Sequence, residues 1–170
     1  MSEAKKLKSE NKILKLQEDE YQLEMSLYDD NSIEFKVTLN SPMANCYYTE
    51  KYDLETIVNT SLLLLRKFKD MEAVYQYYKV KILSGREINL VLSPDKNIMS
   101  LKYQKMVDDE ATDVELKLKK KMAEKDDIVQ ALMKEVLQLK KTVVQQEKKI
   151  DEQLKKNEEK IDELKKTMIC

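Results

Sequence analysis

After Pro94 the chain contains neither proline nor glycine. Nothing in that stretch breaks a helix, and its second half carries a heptad. Val129, Val136, Val143 and Ile150 lie seven residues apart, and Leu132 and Leu139 stand three beyond the first two. β-Branched residues at a with leucine at d favour a parallel two-stranded coiled coil, because that pairing suits the knob packing of a dimer. Leu118 and Met122 are assigned to the same interface on its N-terminal side. Beyond the heptad, Ile150, Leu154, Asn157, Ile161, Leu164 and Met168 follow at steps of four, three, four, three and four. The successive four-residue steps Gln146–Ile150–Leu154 form a stutter, where a supercoil locally unwinds. A rod over 107–170 is expected, about 60 helical residues long and roughly 90 Å in extent. Its apolar edge has to be buried against a neighbour.

The charges of the rod partly support self-pairing. In a parallel dimer Glu135 at g faces Lys140 at e, an attractive pair, whereas Lys160 and Lys165 stand in the same relation after the stutter and repel. Within one helix Asp151–Lys155, Glu152–Lys156 and Asp162–Lys166 have the acid-first spacing, each contributing about 0.3–0.5 kcal/mol. Ile128, Met133 and Leu137 widen the apolar seam beyond a and d, which points to a further helix, or the head, docking around 128–139. Gln146 and Asn157 put amides into the seam.

The first hundred or so residues read differently. Ile13, Leu14 and Leu16 fit either a short strand or a frayed helix, and the order of residues 1–20 stays open. Leu23, Met25 and Leu27 alternate with polar residues, Asp29-Asp30-Asn31 makes a turn, and Ile33, Phe35, Val37 and Leu39 alternate again. That is an antiparallel hairpin. Asn40-Ser41-Pro42 breaks the second strand, and the tyrosine-rich run from Cys46 to Tyr52 gives a third. Asp53 caps a helix carrying Leu54, Ile57, Val58, Ser61, Leu62, Leu65 and Phe68 at helical steps. Asp70 caps a second, with Met71, Val74, Tyr75, Tyr78 and Ile82 on one face, closed by Ser84-Gly85. Two more strands follow, Ile88-Leu90-Leu92 and Met99-Leu101-Tyr103, joined by a turn at Ser93-Pro94-Asp95. The expected class is α+β: a small head of antiparallel strands with a helix pair over 1–106, then a long C-terminal helix forming a parallel coiled coil over 107–170.

Composition excludes most catalysis. The chain has no histidine, the commonest general base and metal ligand, and one glycine, Gly85, so it has no glycine-rich phosphate loop. Cys46 has no histidine to activate it, and Cys170 reads as a plain terminal thiol. The pairs Asp29-Asp30, Asp108-Asp109 and Asp126-Asp127 lack the pattern of a calcium loop and read as a turn, a helix start and a wet helix surface. Neither a metal nor a cofactor is expected, nor a small-molecule substrate. Lysine plus arginine number 31 against 32 acids, for a net charge of −1, so no single-sign field draws nucleic acid or anionic lipid. The run Lys117–Lys121 and the tyrosines Tyr47, Tyr48, Tyr52, Tyr75, Tyr77 and Tyr78 are the only features resembling a nucleic-acid surface. The lysines near the tyrosines are answered by acids, so core packing and a protein contact are expected for the tyrosines. The Lys117–Lys121 run reads as the wet side of a helix that could alternatively touch phosphate or an acidic protein surface. The longest uninterrupted apolar run, Leu62–Leu65, is far too short for a membrane span, and MSEAKKLKSE has no apolar secretory core. A soluble, reducing, intracellular setting is expected.

The stretches YQLEMSLYDDNSIEFKVTL, YYTEKYDLETIV and EINLVLSPDKNIMSLKYQK, the last leading into the rod, resemble the head-plus-coiled-coil superfamily. It includes the scaffolds of the centriolar cartwheel and of DNA end joining, and the style is similar to small protist coiled-coil proteins. The resemblance implies a non-catalytic parallel homodimer whose heads contact other structural proteins, in a cytoplasmic, cytoskeletal setting such as a cilium or basal body. Two other settings remain open from sequence: a nuclear DNA-associated scaffold using Lys117–Lys121, and a subunit whose helix pairs with other chains of a large assembly.

Overall fold

The computed structural model describes residues 3–41, 44–60, 68–84, 88–107 and 109–169. The chain divides into two compact units, Met1–Glu124 and Lys125–Cys170. The first is the head. Its strands are β1 (Lys6–Leu16), β2 (Asp19–Tyr28), β3 (Ser32–Leu39), β4 (Cys46–Asp53), β5 (Asn89–Leu92), β6 (Ile98–Val107) and β7 (Glu110–Met122), with helices α1 (Leu54–Thr60) and α2 (Met71–Ser84) between β4 and β5. The second unit contains α3 (Lys125–Met168).

Among the described residues, seven strands form one antiparallel sheet in the order β1-β2-β3-β4-β7-β6-β5. Period-two alternation sets which side chains face the core. Leu23, Met25 and Leu27 of β2, and Ile33, Phe35 and Val37 of β3, are buried. The tight connections use left-handed backbone at Gln17, Asn31, Lys96 and Asp109. Positive φ matches a short turn to the twist of its strands, and asparagine and aspartate tolerate it best. The expected Asp29-Asp30-Asn31 turn is present, with the Asn31 amide donating to the Tyr28 carbonyl.

The sheet curls. Its edge strands β1 and β5 approach within 8 Å between Cα atoms. In the middle, β4 pairs with β7 only from Cys46–Met122 to Thr49–Lys119. Beyond that pairing the Tyr52 hydroxyl donates to the Lys117 carbonyl at 2.9 Å, a hydrogen bond that spans the two strands. Helix α2 lays Met71, Val74, Tyr75, Tyr78 and Ile82 into the core, the face its spacing predicts. The Tyr78 ring stands edge-on to Phe35 of β3, with centroids 5.1 Å apart, and to Tyr103 of β6 at 6.0 Å. The two tyrosine hydroxyls share a buried hydrogen bond of 2.9 Å. Ion pairs Lys8–Glu72 and Lys79–Glu10 tie α2 to β1. Both helix caps are as expected: the Thr56 amide donates to Asp53 Oδ1 at 2.7 Å and the Ala73 amide to Asp70 Oδ1 at 2.8 Å. Ser61, Leu62, Leu65, Pro42 and Gly85, assigned from sequence to α1 or to breaks, lie outside the described residues.

Of the two readings open for the N-terminal segment, the strand holds: it is an eleven-residue strand, β1, paired along its length with β2. Other expectations are corrected. The rod does not begin at Val107, because Glu110–Met122 is a strand and helix begins at Lys125. Val114, Leu116 and Leu118 alternate inward against exposed Asp113, Lys117 and Lys119, so this stretch has strand periodicity although nothing in it breaks a helix. Pairing to β6 and β4 then outweighs the helix propensity of its lysines and leucines. Asp109 accordingly sits in the β6–β7 turn with φ 65° rather than at a helix start, while Asp108 lies outside the described residues. Leu118 is fully buried in the head core, so it is no part of a rod interface. Replacing it with alanine should destabilise the head by about 2–5 kcal/mol in urea unfolding. The oligomeric mass below the transition should not change; a fall in mass would return Leu118 to the rod.

Candidate interaction site

α3 is 44 residues long, which corresponds to about 66 Å. Asp126 and Asp127 occupy its first turn and Lys165 and Lys166 its last, each sign complementing the helix dipole. None of its residues is buried. Val129, Val136, Val143 and Ile150 are 50–56 % exposed. Leu139, Leu154, Ile161 and Leu164 are equally open, and Leu132 is only partly covered. Neighbouring turns supply what cover these side chains have. Completing the burial of each is worth on the order of 1 kcal/mol. The edge is apolar except at Gln146 and Asn157, on a helix otherwise charged.

The helix carries most of the interface residues expected from sequence. Val129, Leu132, Val136, Leu139, Val143, Ile150, Leu154, Asn157, Ile161 and Leu164 share α3, and their spacing places them on one stripe. Leu118 and Met122 do not join them. The first is core of the head, and the second is an exposed residue ending β7. Sequence spacing noted Met133 and Leu137 beside the seam but missed Val144, which lies seven residues beyond Leu137 and, like it, is exposed.

The other candidates resolve into structural roles. Tyr75 and Tyr78 are core residues, Tyr48 and Tyr52 are buried and hydrogen-bonded to the carbonyls of Lys96 and Lys117, and no stacking platform forms from them. The Lys117–Lys121 run lies on β7, where Lys119 pairs with Glu50 at 3.2 Å. Cys46 is a free, partly buried thiol opening β4. Asp29 accepts from the Lys5 amide, while Asp30 bonds Lys51 and Ser32. The bond to the Lys51 ammonium, followed by that to Ser32, holds the Asp30 carboxyl below its ordinary range. Among the described residues no three His, Cys, Asp or Glu side chains gather to hold a metal, and no helix is long and apolar enough to cross a membrane.

No family model and no curated protein matches the sequence. Solved structures do match in fold. The head domain of human CCDC61 superposes with a TM-score of 0.52 at 13 % identity, covering 68 % of this chain and 98 % of that one. The N-terminal coiled-coil dimer of C. elegans SAS-6 gives 0.52 at 15 %, covering 82 % and 98 %. The chain therefore shares its fold with these two structures.

The tyrosine core makes the head alkali-sensitive. Burial first, then the carboxylates of Glu10 and Glu72, push the Tyr75 phenol up to about 12. Burial likewise raises Tyr78 and Tyr103. These phenols release protons more readily unfolded than folded, so stability is whole below the ordinary tyrosine range near pH 10 and falls as pH rises above it. Thermal unfolding at stepped pH should show this decline. Tyr75→Phe should flatten it in the interval from about pH 10 to 12, and an unchanged slope would refute the assignment.

Proposed function

We propose that the chain is a non-enzymatic structural scaffold that dimerises in parallel through α3 and presents its heads for contacts with other structural proteins. The observation carrying this reading is the apolar stripe of α3, interrupted by Gln146 and Asn157 and largely exposed. β-Branched residues at a and leucine at d favour a two-stranded parallel pair, and Glu135 opposite Lys140 fixes its direction. That a solved chain of similar fold is a coiled-coil dimer supports the same arrangement. The mechanism is geometric. The helix pair sets the spacing of two heads, and the sheets offer rigid docking faces. A cytoskeletal place, in a cilium or basal body, and a cytoplasmic location follow from the resemblance to centriolar scaffolds.

A second reading is favoured by Lys160 and Lys165, which repel across a homodimer seam. In it, α3 pairs with a helix of a different chain in a larger assembly. Light scattering on the isolated chain distinguishes the two: a dimeric mass is expected, and a monomer at micromolar concentration would select the second reading. In the dimer, Leu132→Ala with Leu139→Ala should reduce the mass to that of a monomer. Each truncation removes about 2–5 kcal/mol of buried contact. An unchanged sedimentation mass would reject the seam.

A further inference from the structure

The heptad leaves a second apolar row on α3 without a role. With Val129, Val136 and Val143 at a and Leu132 and Leu139 at d, Met133 falls at e and Leu137 and Val144 at b. Their exposures are 62, 58 and 49 %. Leu137 and Val144 are turned away from the seam, because b positions do not meet the partner in a two-stranded coil, whereas Met133 at e borders the seam. Leu137 and Val144 line a shallow groove with Lys140, Lys141 and Gln145. Lys140 takes the e position between Leu137 and Val144, and the e and b positions beyond Val144 are Glu147 and Asp151, so the row belongs to the first half of the helix alone.

Its border is basic. Lys134, Lys141 and Lys148 occupy successive f positions along the outer side of the row. Three and four residues from Lys134 stand Gln130, Ala131, Leu137 and Gln138; around Lys141 stand Leu137, Gln138, Val144 and Gln145. Neither lysine has an acid within helical reach. Farther along, Lys155, Lys156 and Lys166 each follow an acid four residues earlier. An f position is the farthest from the seam, so a coiled-coil partner cannot neutralise Lys134 or Lys141.

We propose that Leu137 and Val144, flanked by Met133, dock an amphipathic helix of another protein whose apolar stripe is edged by aspartate and glutamate. This rests on the seam reading, because it takes a and d to be occupied already. A second copy of this chain is the wrong occupant, since matching rows would set Lys134 and Lys141 against themselves. A bilayer rewards a long, broad apolar face, and this row is three residues long, with acids following it.

The test uses the full chain and two fluorescent designed peptides, each a leucine-striped helix, one bordered by glutamate and the other by lysine. Fluorescence anisotropy should show the glutamate-edged peptide binding wild type at least tenfold more tightly than the lysine-edged one. K134E/K141E should reverse that preference, and L137D/V144D should abolish binding of both peptides. Sedimentation mass should be the same for all three proteins. Equal binding by the two peptides, or binding that survives L137D/V144D, would overturn the proposal. So would a mass change in L137D/V144D, which would assign the row to self-association, or flotation of wild type with phosphatidylserine vesicles, which would assign it to lipid. Failure of the seam reading itself is read separately, as a monomeric mass in wild type.

Discussion

The head turns on one buried ring. The two halves of its sheet, β1–β4 and β5–β7, meet through the short β4–β7 pairing. Tyr78 contacts both halves, edge-on to Phe35 on β3 and to Tyr103 on β6, and its hydroxyl bonds that of Tyr103. A phenol removed from water is costly unless its oxygen is partnered, and here two phenols partner each other. The bond fixes how far apart the halves sit while the rings fill the space between them. The Tyr52 hydroxyl then spans β4 and β7 where their direct pairing ends.

The second unit obeys the opposite economy. The head encloses most of its large apolar side chains, whereas α3, though rich in lysine, leucine, glutamate and glutamine that favour helix, leaves its own half wetted. A helix of this length takes most of its stability from packing an apolar face. Its stripe is therefore a structural requirement: whatever covers it also orders it.

Much of this was legible in order along the chain. The β2–β3 hairpin follows from two runs of alternation around Asp29-Asp30-Asn31, the starts of both head helices from Asp53 and Asp70, and the buried face of α2 from five residues at three- and four-residue steps. The α3 stripe follows from the heptad. β1 was obscure because it is an edge strand, where only Leu14 is buried and polar residues predominate, so alternation is faint. β7 was misassigned because the absence of proline and glycine permits a helix without requiring one.

Local pattern alone determined the head helices, the central hairpin and the apolar edge of α3, since each depends on contacts within a few residues or on periodicity along one element. Only the tertiary structure decided the fate of residues 110–122. Lysine, leucine and glutamate serve a helix or a strand, and the choice fell to distant partners: β6 along one side, β4 along the other, and a core that admits Val114, Leu116 and Leu118 only at a period of two. Such pairing energy resides in the neighbours, so no reading of the segment by itself contains it.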